Sequence, residues 1–194
     1  MKNNFIRHYP VTTGLLFVTT VVFLLMFLTY GFDYSSSEAV FTFGGVYGEV
    51  IKMSPLNQGW RLLAASFVHI GLEHFLINTL TLYFIGQQAE SIFGSGRFLL
   101  LYLLSGVSGN LFVLIFTPNI LAAGASTSLF GIFAAIIVLR FIIHNPYIQT
   151  LSKTYTRLLL LNLLFSFLPG ISLAGHLGGA IGGALTTLLI FKKS

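Results

Sequence analysis

The feature that most constrains this chain is a series of apolar stretches along its 194 residues. About 20 consecutive apolar residues cross the hydrocarbon core of a bilayer as a helix, and several of these stretches approach that length. They lie at residues 11–31, 62–86, 98–117, 126–143, 155–171 and 174–191. The pattern predicts an all-α, polytopic membrane protein, in which a single domain over residues 1–194 has six transmembrane helices and a long outer loop at about 32–61.

The composition excludes an ordinary soluble domain. Charged residues make up 8% of the chain, against about 25% in soluble domains. The first stretch is too long for the apolar core of a signal peptide and has no convincing cleavage site, so we interpret it as a retained helix. The net charge of +5 does not imply a nucleic-acid partner, and the absence of cysteine excludes disulfides and thiol chemistry.

Lysine and arginine are concentrated on one side of the predicted membrane. Only Lys52 and Arg61 lie on the other side. The remaining basic residues are Lys2, Arg7, Arg97, Arg140, Lys153, Arg157, Lys192 and Lys193. Because positively charged loops stay in the cytoplasm, both the N- and the C-terminus are predicted to be cytoplasmic. The second, fourth and sixth helices would then enter the membrane from its outer face.

Polar segments stand at the beginnings of these three helices. They read "FVHIGLEHFLINTL" from residue 67, "GASTSLFG" from residue 124 and "AGHLGGAIGG" from residue 174. Polar and ionisable residues inside a membrane are costly and usually face a bundle interior or a wet cavity. Their shared depth predicts one water-accessible site that opens to the outer face.

The side chains in these segments suit nucleophilic catalysis. Ser126 is predicted in the first turn of a helix, where unpaired N–H groups and the helix dipole favour an oxyanion. A neutral His176 is able to accept the serine proton. His74 and Asn78 share one helix face and both donate hydrogen bonds suited to an oxyanion. No Asp or Glu accompanies His176, so the pattern predicts a Ser–His dyad.

Simpler interpretations of the same residues stay open. A serine at a helix start is typical of an N-cap, and a histidine in a membrane helix also serves packing. Zinc binding by His69, His74 and His176 is disfavoured, because the first two lie on different faces and no carboxylate or cysteine completes a set. We expect no metal and no cofactor.

Glycine spacing in the sixth helix indicates close helix packing. The pairs Gly178/Gly182 and Gly179/Gly183 each form a G-x-x-x-G spacing. Small residues at this spacing let helix backbones approach closely in membranes. We expect this packing to bring the sixth helix against the fourth.

The three polar segments resemble, in order and position, the signature segments of the rhomboid intramembrane serine proteases. "GW" and "R" at residues 59–61 resemble the Trp-Arg pair of that family's long outer loop. "QQAESIFGSGRFLLLY" resembles the turn from its second into its third helix, and the likeness extends over residues 55–190. The resemblance implies a six-helix rhomboid-like bundle that cleaves membrane proteins within or beside their transmembrane helices.

The resemblance also implies roles for individual residues. Ser126 would be the nucleophile and His176 the general base, with the oxyanion bound by the Ser126 N–H, His74 and Asn78. Phe130 matches the aromatic residue that packs against the base. The other supporting positions are Gly124, His69, Trp60, Arg61, Glu90, Gly179 and Gly183. Among these, Trp60 and Arg61 would brace the outer loop, and His69 would be a structural partner in the second helix.

The implied partners are the lipid bilayer and transmembrane substrates that enter laterally, past the fifth helix. The implied location is a bacterial cell membrane. One alternative is a catalytically inactive rhomboid-like protein that binds membrane helices, although such proteins usually lack the serine or the histidine. Another is a small transporter, which the absence of paired broken helices or an internal repeat disfavours.

One position departs from the family pattern. Thr127 follows the serine where the family usually has glycine. We expect its side chain either to narrow the pocket or to supply another hydrogen bond there. Ser128 lies about 200° further round the helix than Ser126, so both serines cannot face His176, and we interpret Ser128 as a packing residue.

Overall fold

A computed structural model of the chain describes residues 5–191. Six long helices form a bundle, and a short helix at Phe5–His8 precedes them. The long helices are α1 (Pro10–Tyr30), α2 (Leu72–Phe93), α3 (Ser95–Phe116), α4 (Ser126–Ile142), α5 (Pro146–Phe165) and α6 (Leu173–Ile190). The helical bundle predicted from the apolar stretches is therefore confirmed. The predicted orientation also rests on Lys2, Lys192 and Lys193, which lie outside the described residues.

Three described helical segments are long and apolar enough to cross a membrane, namely Pro10–Asp33, Ser95–Phe116 and Leu173–Ile190. Helix α4 is apolar but shorter. Helices α2 and α5 are of similar length to the others, yet they carry charged and amide side chains. These side chains make both helices less apolar than the three segments above, although the lengths are similar.

Two predicted helices have different ends in the structure. The second begins at Leu72 and ends at Phe93 instead of spanning 62–86. Gly71, with φ of 84°, interrupts the chain before Leu72, and residues 61–64 form a separate short helix. The fifth begins at Pro146 instead of 155 and ends at Phe165 instead of 171. The side chain of Asn145 caps it by accepting from two backbone N–H groups, a signal that apolar counting does not register.

The outer loop is structured. It contains short helices at Ser37–Thr42, Gly48–Met53 and Pro55–Gln58. A two-residue strand β1 (Val46–Tyr47) pairs antiparallel with β2 (Leu121–Ala122). This unpredicted ribbon ties the outer loop to the segment that leads into α4.

Helix α4 lies at the centre of the bundle. Its residues 127–136 are all buried, and it packs against α3, α5 and α6. Ile132 and Ile136 lie in one cluster with Leu101 and Tyr102 of α3. A helix that is apolar all round is typical of such a buried position. The first residue of α4 is Ser126, so the central helix carries the predicted nucleophile.

Glu90 ties three helices together at the far end of α2. Its carboxylate accepts from the backbone N–H of Val11 (3.0 Å) and of Thr12 (2.8 Å), which belong to the first turn of α1. It also accepts from the hydroxyls of Thr12 and of Ser95, the first residue of α3. The opening N–H groups of a helix have no partner within it and favour negative charge. Glu90 therefore caps α1 from a neighbouring helix.

The glycines of α6 face two different helices. Gly179 and Gly183 lie against the backbone of Thr127 and Gly131 in α4, so closely that a methyl group would overlap with those carbonyl oxygens. The predicted approach of the sixth helix to the fourth is thus observed. Gly178 and Gly182 lie instead against α3, where a methyl group would meet the side chains of Phe112 and Ser108.

Gly183→Ala is expected to destabilise the protein by forcing α6 away from α4. Overpacking of a tight interface costs about 1–3 kcal/mol, so the thermal unfolding midpoint in detergent should fall. Gly14→Ala is the matched control, because Gly14 lies in a helix with no atom within 4 Å of an added methyl group. Equal midpoints for the two variants would contradict the tight contact.

Candidate active site

Ser126 and His176 meet where two helices begin. Ser126 is the first residue of α4, and His176 is the fourth residue of α6. The Nε2 atom of His176 lies 2.9 Å from the Oγ atom of Ser126. The two side chains are fifty residues apart in sequence, so it is the bundle that brings them together. This distance is within the range that direct proton transfer between a hydroxyl and a ring nitrogen requires.

The ring of His176 is held in plane by Phe130. Phe130 lies one helical turn after Ser126 in α4 and stacks on the imidazole, with 4.0 Å between ring centroids and 11° between planes. The aromatic contact implied by the resemblance is therefore present. It leaves both ring nitrogens free to form hydrogen bonds in the plane.

The second nitrogen of this ring contacts a residue that sequence reasoning missed. The Oγ atom of Ser166, at the end of α5, lies 2.6 Å from Nδ1 of His176. Ser166 also donates a hydrogen bond to the backbone oxygen of Asn162 (2.8 Å). A signal was present, because Asn162 and Ser166 are two polar residues four positions apart in an otherwise apolar stretch. The contact itself depends on how α5 packs against α6.

The segment that leads into Ser126 is held by backbone and by His69. The N–H of Gly124 donates to the oxygen of Ala65 (2.8 Å), and the N–H of Ala125 donates to Nε2 of His69 (3.3 Å). His69 is completely buried. It lies before α2 and not within it, which corrects the predicted placement, because α2 begins only after Gly71.

His69 is neutral in this arrangement. Its Nε2 accepts from Ala125, and its Nδ1 lies 3.4 Å from the oxygen of Phe67, to which it donates. Burial, with a smaller contribution from the nearby His74, lowers the pKa of His69 to about 3. His69 thus acts as a structural acceptor for the residue before Ser126, which agrees with the structural role that the resemblance implies.

His74 and Asn78 lie one turn apart on α2, and their contacts differ. The ring of His74 is next to Gly124, and its centroid is 5.1 Å from that of His69. Asn78 is buried, and its side-chain amide donates to the backbone oxygen of His74 (3.0 Å). The structure therefore brings His74 to the serine segment, whereas the Asn78 amide is bonded within its own helix.

Thr127 and Ser128 point away from the Ser126–His176 pair. The side chain of Thr127 packs between α3 and α6, against the positions of Gly109 and Gly175. Its hydroxyl is buried, and within residues 5–191 it has no hydrogen-bond partner. The expectation that Thr127 narrows the pocket or adds a hydrogen bond there is wrong, because the neighbouring glycines accommodate its bulk. Ser128 is also fully buried, beside Gly106, which agrees with a packing role.

Trp60 and Arg61 hold the outer loop. The Arg61 guanidinium lies over the rings of Phe41 (3.7 Å) and Trp60 (4.8 Å). It also donates to the backbone oxygens of Phe41 and Gly45. Arg61 is buried and Trp60 is half-exposed, and the two residues hold the loop through these contacts, as the resemblance implies.

Metal ligands do not cluster in the part of the chain that the structure describes. Within residues 5–191, no group of three or more His, Cys, Asp or Glu side chains is arranged to hold a metal ion. His69 and His74 are neighbours, but His69 is engaged through both nitrogens.

The fold and this site define a class of protein. It is that of polytopic helical membrane proteins with a Ser–His pair in the first turns of two helices. Residues 56–193 match the Rhomboid domain. The chain therefore belongs to the rhomboid family and is an integral membrane protein. This confirms the resemblance drawn from the three polar segments.

Individual relatives differ in how much of their length the chain spans. It is 32% identical over 169 residues to the rhomboid protease GluP of Bacillus subtilis, covering 87% of this chain and 32% of GluP. It is 30% identical over 191 residues to the putative rhomboid protease YdcA of Bacillus subtilis, covering 97% of this chain and 92% of YdcA. It is 34% identical over 125 residues to inactive RHOMBOID-like protein 8 of Arabidopsis thaliana, covering 63% of this chain and 35% of that protein.

Gly124→Ala is expected to disturb the site through His74. Gly124 has φ of 138°, and a methyl group there would lie 2.6 Å from Cε1 of His74. Backbone strain of this kind costs about 1–3 kcal/mol, and the ring must also move, so the unfolding midpoint in detergent should fall.

Gly94→Ala is the control for strain alone, since Gly94 has φ of 75° and no atom within 4 Å of an added methyl group. Gly124→Ala should cost more than this control. Adding His74→Ala should recover the excess, as a double-mutant cycle measures. An excess that survives the loss of the ring would contradict the contact.

Proposed function

We propose that this protein is an intramembrane serine endopeptidase that uses a Ser126–His176 dyad. The observation that carries the proposal is the 2.9 Å distance between Oγ of Ser126 and Nε2 of His176. The alternative of a helix cap does not account for it, because no side-chain cap hydrogen bond is present at the start of α4. Family membership supports the same chemistry.

The first step would be acylation. Oγ of Ser126 attacks the carbonyl carbon of the scissile peptide bond, while Nε2 of His176 takes the hydroxyl proton. The tetrahedral intermediate collapses as the peptide C–N bond breaks, and His176 returns the proton to the leaving amine. Water then attacks the acyl-enzyme with His176 again as the base, which releases the carboxylic acid product and restores Ser126.

The negative charge on the carbonyl oxygen needs hydrogen-bond donors. The backbone N–H groups at the start of α4 have no partner within the helix and lie at the positive end of its dipole. The His74 ring is adjacent to this segment. Asn78 donates one of its two amide hydrogens to the His74 oxygen, and the second would be given to the oxyanion. Its contribution would then be specific to the transition state, which is the condition for raising the catalytic rate.

The substrates would be transmembrane proteins that reach the site laterally from the bilayer. The basic residues of the described loops favour an orientation in which the first turns of α2, α4 and α6 face outward. Water would then enter from the outer surface. Incubation in liposomes with a panel of single-span membrane proteins, followed by mass spectrometry of the products, would identify the cleavage sites.

A catalytically inactive rhomboid-like protein is the competing proposal, and one relative is named as inactive. The two proposals differ in the reactivity of Ser126. A fluorophosphonate probe should label Ser126 of the intact protein in detergent, with the adduct located by peptide mass spectrometry. The absence of a Ser126 adduct would favour the inactive protein.

Ser126→Ala and His176→Ala should each abolish cleavage of a transmembrane substrate in liposomes. The first removes the nucleophile, and the second removes a general base that contributes roughly 10²–10⁴ in rate. Ser128→Ala is the matched control, because it deletes a buried hydroxyl two residues away and should keep its activity. Cleavage by pure Ser126→Ala protein at the wild-type rate would contradict the assignment of Ser126 as the nucleophile.

Asn78→Ala should leave a small residual activity. Loss of one oxyanion donor costs on the order of 10²–10³ in kcat, whereas substrate binding should change little. Thr81→Ala is the control on the same helix, since the Thr81 hydroxyl donates only to the oxygen of Ile77. A wild-type kcat in Asn78→Ala would mean that Asn78 does not bind the oxyanion and serves only through its hydrogen bond within α2.

A further inference from the structure

We infer that Ser166 is a positioning residue that sets the tautomer of His176, so that His176 acts between two serines and not in an isolated dyad. The inference rests on the proposed function for its catalytic consequence. Its geometric basis is independent of that function. Oγ of Ser166 lies 2.6 Å from Nδ1, on the side of the ring opposite the 2.9 Å contact with Ser126.

The hydrogen bonds of Ser166 fix the direction of this contact. A serine hydroxyl has one hydrogen to donate, and Ser166 directs it to the backbone oxygen of Asn162 at 2.8 Å. Such a bond to the carbonyl four residues earlier is a common arrangement for a helical serine. Oγ of Ser166 therefore meets Nδ1 with a lone pair, and the ring proton lies on Nδ1.

The reverse arrangement is unfavourable. If Ser166 donated to Nδ1, lone pairs of its Oγ and of the Asn162 oxygen would face each other at 2.8 Å with no hydrogen between them. Nε2 would then carry the ring proton and point it at Ser126, so it would not be a base. The observed geometry thus favours the tautomer with an unprotonated Nε2, which is the one that acylation needs.

Burial gives this bond its importance. Ser166 is 2% exposed and His176 is 7% exposed, so bulk water does not readily take the place of the Ser166 oxygen at Nδ1. A buried N–H without an acceptor is costly. Once Nε2 has taken the serine proton, the imidazolium donates more strongly from Nδ1 to Ser166. In serine hydrolases with a triad, a carboxylate holds this tautomer, and here a neutral hydroxyl on α5 has that place.

The ring of His176 is positioned by two contacts that fix different properties of it. Stacking on Phe130 fixes the plane of the ring, but a flat stack does not distinguish Nδ1 from Nε2. Ser166 makes that distinction because its own hydrogen is already engaged. Phe130 and Ser166 therefore position the same base in different ways.

The test combines kinetics with a direct measurement of the tautomer. Ser166→Ala, Ser166→Thr and Ser152→Ala are prepared in the full chain, with Ser126 intact. Ser152 is the matched control, because it is a fully buried serine on the same helix whose hydroxyl donates only to the oxygen of Gln149. Each variant is reconstituted in liposomes with a single-span protein that the wild type cleaves, at a temperature well below its unfolding midpoint.

Ser166→Ala should lower kcat roughly 10- to 100-fold with little change in KM, because the population of the productive tautomer falls while the substrate surface is unchanged. Ser166→Thr should restore most of kcat, since it returns a hydroxyl. Ser152→Ala should match the wild type.

The tautomer is read from the ring ¹⁵N signals of labelled histidine, with the His176 signals assigned by their loss in His176→Gln. Wild type should show a protonated Nδ1 and an unprotonated Nε2, and Ser166→Ala should show a mixture. An unchanged tautomer in Ser166→Ala overturns the inference, as does failure of Ser166→Thr to recover the wild-type signals. If wild-type protein cleaves no substrate, the proposed function fails, and the ¹⁵N signals still decide the role of Ser166.

Discussion

The site depends on the close packing of α6 against α4. Gly179 lies against the backbone of Thr127, which is the residue after Ser126, and it is three positions after His176. The contact that brings the two helices together is therefore adjacent to the pair of side chains that face each other. A helix with larger residues at 179 and 183 would lie further from α4. The 2.9 Å contact between Ser126 and His176 would then be lost, even with both residues present.

Polar bonds between helices are arranged at the two ends of the bundle. At one end, Glu90 joins α1, α2 and α3 through four accepted hydrogen bonds. At the other end, His176 of α6 joins Ser126 of α4 and Ser166 of α5. In the core between these ends, Ile132 and Ile136 are fully buried. Apolar packing therefore holds the middle of the bundle together, and side-chain hydrogen bonds join the helices towards its two ends.

The helical bundle and the Ser126–His176 pair were predictable from the sequence. Polar residues in apolar stretches stand out, and the distribution of basic residues puts three such segments at one depth. The start of α2 at Leu72 was missed because apolar residues continue through the turn at Gly71. Ser166 was missed because it lies outside the three polar segments, and its contact with His176 depends on how α5 packs against α6. The place of Thr127 depended on Gly109 and Gly175, which approach it only in the folded bundle.

The length of α4 has a consequence for how the protein responds to its lipids. With 17 residues, it is about 26 Å long at 1.5 Å per residue, whereas the hydrocarbon core of a bilayer is about 30 Å thick. Its first residue therefore lies a few ångströms beneath one surface whenever its last residue reaches the other. Acyl-chain length would set how deep Ser126 is recessed, and so how readily water reaches it. The thickness of the surrounding membrane would thus influence hydration of the site.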